Sequence, residues 1–180
     1  MADIIPLAPF RFRNEIEAGY DLWGQYFNDE FDASTRLRDI SSETLIVLAE
    51  PGDPGMRLIF GLITGFLGLS NRIDIKTLDA DTQSRIIDIQ LFLADHIHFE
   101  MMRRLTWLAF IPAETFPLFD MVTRFDQISR QCKVKPPQLA SNHPGYPAYM
   151  AMISRDQQVF IRQLFPKALD AFKGGCETLR

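Results

Sequence analysis

The chain is poor in the residues that usually announce a chemistry. It has two cysteines, Cys132 and Cys176, far apart in 180 residues. Without CxxC spacing there is neither a disulfide framework nor a zinc knuckle, and a reducing, cytoplasmic setting is expected. Histidine occurs three times, and basic residues are not in excess: 19 Lys and Arg stand against 23 Asp and Glu, a formal net charge of −4. General nucleic-acid binding rests on phosphate neutralisation by basic side chains, so no nucleic-acid partner is expected. The longest apolar run, residues 58–69, is interrupted only by Thr64 and stops at twelve residues. A membrane-spanning helix needs about 20, so the run reads as a buried core helix and no membrane partner is expected. The opening MADIIPLAPFRFR lacks a basic n-region and is broken by Pro6 and Pro9, unlike a signal peptide. GxSxG, HExxH, GxxxxGK[ST] and GxGxxG are all missing, which removes the familiar nucleophile, zincin and phosphate-loop signatures. There is no long alternating strand pattern and no internal repeat.

What is present describes a globular object. Apolar residues make up 47% and charged residues 23%, and a chain of this length buries roughly two-thirds of its unfolded surface. One all-α domain over residues 1–180 is expected, a helical bundle of five or six helices around a long central one. Residues 1–12 read as an extended arm. From Asn14, Ile16, Tyr20, Trp23, Phe27 and Phe31 recur at helical spacing. Ser41 or Ser42 starts a second helix with Glu43 in its first turn, and EPGDPG stops it. A third helix runs over about 56–69. Asp79 or Asp81 caps the central helix, expected over about 80–110 and closed by Pro112. A fifth covers about 115–132, with Pro117 in its first turn. The stretch 133–147 holds four prolines and is expected to be an irregular loop; such long connections are often functional or disordered. The last helix starts at a Ser154–Gln157 capping box, shows an apolar face including Val159, is divided at Pro166 and ends at Gly174–Gly175.

The central helix carries the chemistry-bearing residues in LADHIHFEMMRRL. An α-helix advances about 100° per residue, which sets His96 and His98 about 200° apart, so the HxH is no chelate. Asp95 and His98 share one seam, with Asp88 a heptad earlier; His96, Glu100 and Arg103 share another. Apolar residues in the remaining directions, Ile87 and Leu91 among them, predict a helix surrounded by other elements. Carboxylate-x-x-His at i, i+3 is how bundles present ligands to metals, and Asp95, His98 and His143 form a candidate site for a single divalent metal. The structural alternative pairs Asp95 with His98, and Glu100 with Arg103, Arg104 or His96.

Two other stretches bear on partners. Gly61, Gly65 and Gly68 lie along one side of the third helix, predicting a close helix–helix approach, either within the chain or in a dimer. FDASTRLRDIS resembles the opening of the DNA-binding domain of TetR-type repressors. The resemblance ends there, because LIVLAEPGDPG and an apolar helix stand where a short turn and a polar recognition helix belong. Cys132 ends a helix beside Lys133 and Lys135; the helix dipole opposes any acidifying effect of those charges, and an ordinary free thiol is expected. The expected function is a non-catalytic binding or protein-interaction module, self-associating as a homodimer through its apolar arm or glycine stripe and needing no cofactor. The alternative is a metal- or small-ligand-dependent helical-bundle enzyme using Asp95 and His98.

Overall fold

Side-chain caps set several helix starts. In the computed structural model, which describes residues 8–69 and 73–177, the Ser41 hydroxyl accepts from the Thr44 N–H at 3.0 Å and opens helix α2, Ser42–Ala49. Asp79 does the same for Thr82 at 2.9 Å and opens the central helix α4, Ala80–Arg104. Each cap satisfies a backbone donor that the first helical turn leaves unpaired. Helix α1 is Ala8–Phe27 and α3 is Asp53–Phe66. After α4 come strand β1 (Leu108–Phe110), α5 (Leu118–Thr123), α6 (Phe125–Val134), β2 (Gln138–Leu139), α7 (Tyr146–Met150), α8 (Ser154–Gln163) and α9 (Phe165–Glu177). The fold is all-α, 69% helical, with a single two-strand ladder among the described residues.

The core sits on both sides of α4. One cluster joins Ile86, Ile89, Leu93 and Ile97 to Trp23, Leu62 and Phe66. A second joins Phe99 and Met102 to Leu108, Leu139, Tyr149 and Ile161. Trp23 is fully buried, and its indole N–H donates to the Leu58 carbonyl at 3.0 Å, which ties α1 to α3. The glycine stripe belongs to this same contact. A Cβ on Gly65 would stand 2.4 Å from Gly19 backbone atoms, and one on Gly61 would stand 2.4 Å from Leu22. The stripe is therefore closed within the chain and is no dimer seam. Helix α3 is buried over most of its C-terminal half, Thr64 included, and presents no polar recognition face there. No helix among the described residues is long and apolar enough to cross a membrane.

Several expected boundaries move. The arm expected over 1–12 is helical from Ala8, with Pro9 in the first turn, where its missing N–H leaves nothing unpaired; residues 1–7 lie outside the described residues. The central helix stops at Arg104 rather than near 110. Thr106 turns left-handed at φ 60°, its N–H donates to Arg103 at 2.9 Å, and the Trp107 N–H donates to Met102 at 2.8 Å. That is a Schellman ending, made here without glycine. Residues 108–110 then pair antiparallel with Gln138–Leu139. The proline-rich stretch 133–147 is thus not irregular throughout: it completes α6, supplies β2 and begins α7. The fifth helix is divided at Arg124 into α5 and α6. Pro166 lies in the first turn of α9, just past the expected division from α8, but α9 runs through Gly174–Gly175 to Glu177. The Ser154–Gln157 capping box does not form. Ile153 is the cap, and the Gln157 amide donates instead to the Tyr149 carbonyl at 3.1 Å. Nor is α4 enclosed on every side: Ile87 and Leu91 are 47% and 61% exposed, and Val159 of α8 is also exposed.

Candidate ligand-binding site

The polar residues of the central helix go to different partners. Glu100, 2% exposed, receives Arg103 through two bonds of 2.8 Å and Arg104 at 2.7 Å. Arg104 continues to the carbonyls of Leu37, Arg38 and Ile40. This network fastens the segment before α2 to the end of α4, and it bears out the pairing of Glu100 with both arginines. Asp95 does not pair with His98. Its carboxylate accepts from Arg162 of α8 at 2.8 and 2.9 Å, across 67 residues of sequence. His98 Nδ1 contacts the Ala94 carbonyl at 2.8 Å, and its ring stacks on Phe165 at 4.4 Å. His143 Nδ1 accepts from the Gly145 N–H at 3.0 Å, beside Trp107. Among the described residues no three His, Cys, Asp or Glu side chains are placed to hold a metal ion, so Asp95, His98 and His143 are not brought together as a chelate.

His96 is the residue left over. It does not pair with Glu100. It is 4% exposed, and its Nδ1 lies 2.7 Å from the Phe92 carbonyl. A carbonyl only accepts, so Nδ1 carries the proton and Nε2 presents a lone pair. That Nε2 is buried and, among the described residues, without a hydrogen-bond partner. Burial lowers the imidazole pKa to about 4, against smaller raising effects of the Phe92 carbonyl and Asp95. The ring is therefore neutral near pH 7, an acceptor awaiting a donor.

His96 lines a cavity of about 330 Å³ between α4, α6 and the first half of α8. Phe92 and Phe99 form one apolar wall, and Pro112, Pro136 and Pro137 another. The two phenyl rings flank the imidazole, at 4.1 and 5.3 Å between centroids. The Asp95–Arg162 pair also lines the cavity, together with the exposed Lys133 and Arg155. Cys132 contributes its thiol to the wall, and burial pushes that thiol up to about 11, away from thiolate chemistry. A broader, more open depression of about 730 Å³ adjoins, sharing Phe92, Ser129 and Lys133. The sequence marks part of this site: His96 and Asp95 stand on the central helix, and two of the prolines come from the 133–147 stretch. Arg162, Gln158 and Ser129 carry no local signal, because their relevance comes from where α6 and α8 dock.

No family model, curated protein or solved structure matches the chain.

Proposed function

We propose that the protein is a non-catalytic binding protein that takes a small organic molecule into the cavity beside His96. The observation that carries this is a largely apolar cavity lined in part by His96, whose buried Nε2 has no hydrogen-bond partner among the described residues. Buried acceptors are rarely left unsatisfied, and an unmet one costs about 1–3 kcal/mol. A ligand donor offsets that cost. Apolar walls with a few convergent polar groups are the usual make-up of small-molecule sites. Catalysis is not favoured. The imidazole is too weak a base at neutral pH, the thiol is held protonated, and Asp95 is neutralised by Arg162. The geometry likewise gives no support to a metal-dependent enzyme built on Asp95 and His98. Amide chemical-shift mapping with a panel of benzene, toluene, phenol and indole tests the reading. Shifts are expected around residues 92–99, 129–133 and 154–162, and a Ser129→Phe variant that fills the cavity should remove them. A panel that leaves those amides unmoved defeats it.

A second reading, self-association as a homodimer, is supported by apolar side chains left in solvent. Ile87 and Leu91 lie one turn apart on α4, and Met150 at the end of α7, Ile153 at the cap of α8 and Val159 within α8 lie close in sequence. Exposed apolar groups that cluster are natural association surfaces. The two cysteines are both free thiols, which supports a reducing compartment such as the cytoplasm.

A further inference from the structure

The lining of the cavity also selects among ligands. Resting on the binding reading above, we infer that the occupant is an aromatic carboxylic acid that also carries an O–H or N–H donor. Three features specify the three parts of such a molecule.

The donor is specified by His96. With Nδ1–H committed to Phe92, Nε2 offers only a lone pair, so an ether, ketone or second acceptor finds no bond there. The ring is specified by Phe92 and Phe99, which flank the imidazole, and by the three prolines, whose flat apolar surfaces suit a planar body. The volume of about 330 Å³ suits one or two rings with a short chain. The carboxylate is specified by charge. Asp95 is matched by Arg162, whereas Lys133 and Arg155 have no ion-pair partner among the described residues. Their excess positive charge lies along the same lining as the first turn of α8. That helix starts at Ile153, which has no side-chain oxygen to cap it; Asp156 in its first turn offsets part of the positive helix end, so the preference for an anion rests on Lys133 and Arg155.

Three probes separate the parts: 3-(4-hydroxyphenyl)propionate, its 4-methoxy ether, and 4-ethylphenol. Each is titrated calorimetrically into the full-length chain, with amide shifts reporting the location. The hydroxy acid should bind tightest. The ether should bind about tenfold or more weakly, because a site that hydrogen-bonds a hydroxyl rejects the analogue lacking it. 4-Ethylphenol should also bind more weakly than the hydroxy acid, and added salt should reduce that advantage. His96→Phe should abolish the preference for hydroxyl over ether, whereas His96→Gln, which keeps an acceptor, should retain part of it. The Lys133→Gln, Arg155→Gln double variant should abolish the preference for the acid over 4-ethylphenol. Equal affinity for all three probes on the wild-type protein, or a preference for the ether, overturns the inference while leaving a binding cavity in place. Failure of all three probes while toluene or indole still shifts the cavity amides does the same. If no molecule of either set moves those amides, the binding reading itself has failed. Should His96→Phe not fold, the hydroxyl-to-ether comparison on the wild-type protein decides.

Discussion

Glu100 and Asp95 are both carboxylates on one helix with arginine partners, yet their environments separate their worth. Glu100 has a side chain 3% exposed and two arginines, whereas the Asp95–Arg162 pair is 27% and 48% exposed. Removing one partner of a buried ionic network strands the others, at about 3 kcal/mol or more. Exposed pairs contribute about 0–1 kcal/mol. Glu100→Gln should therefore lower unfolding free energy by roughly 3 kcal/mol in urea titrations, and Asp95→Asn by less than about 1 kcal/mol. Equal losses would contradict the burial argument. His96 adds a pH dependence. Its folded pKa of about 4 lies below the ordinary histidine value of 6.5. Between those values the unfolded chain binds a proton that the folded chain refuses. Stability due to this group is thus full above pH 6.5 and falls as pH drops toward 4. From pH 7 to pH 4.5 the loss should be about 2–3 kcal/mol. His98 and His143, lowered by burial as well, act in the same direction. The readout is the difference in slope of stability against pH between wild type and His96→Phe, which cancels the carboxylates common to both. Parallel slopes would show that His96 titrates normally.

At the scale of elements, helix starts are the most legible feature and helix contacts the least. Ser41 and Asp79 cap where their side-chain chemistry says they should, because a cap is local. The Ser154 box fails because Gln157 finds a carbonyl on α7, a competitor that lies outside the helix. The end of α4 departs from the helical spacing for a similar reason. Nothing in Thr106 marks a left-handed turn, and the strand that follows exists only because residues 138–139 pair with it. Glycines make the same distinction testable. Gly65 in α3 and Gly174 in α9 look alike as helical interruptions. An added Cβ at Gly65 meets the Gly19 backbone at 2.4 Å, and one at Gly174 meets open space. Gly65→Ala should destabilise by about 1–3 kcal/mol or more through overpacking of α1 on α3. Gly174→Ala should stabilise by about 0.5–1 kcal/mol, the helix-propensity difference. Thermal unfolding of the two variants with the same sign would refute the assignment of the stripe.

For the whole molecule, the glycine stripe is spent inside the chain, so any dimer must use other surfaces. Light scattering at micromolar concentration should report about twice the 20.7 kDa chain mass. Ile87→Lys with Leu91→Lys, or Ile153→Lys with Val159→Lys, should return it to the monomer. A 20.7 kDa particle at every loading would rule out self-association. The helical class, the central place of α4 and the pairing of Glu100 with arginines one turn on are legible in the amino-acid order, which leaves open Asp79 or Asp81 as the cap and offers Glu100 a His96 partner it does not take. What is legible follows from periodicity and from contacts one turn apart. Only the tertiary structure decided that Asp95 goes to Arg162, that His98 stacks on Phe165, and that His96 borders a cavity with an unused lone pair. These depend on how α6, α8 and α9 dock on α4. Docking is settled by the summed shape of many side chains far apart in the chain, and no local spacing encodes it.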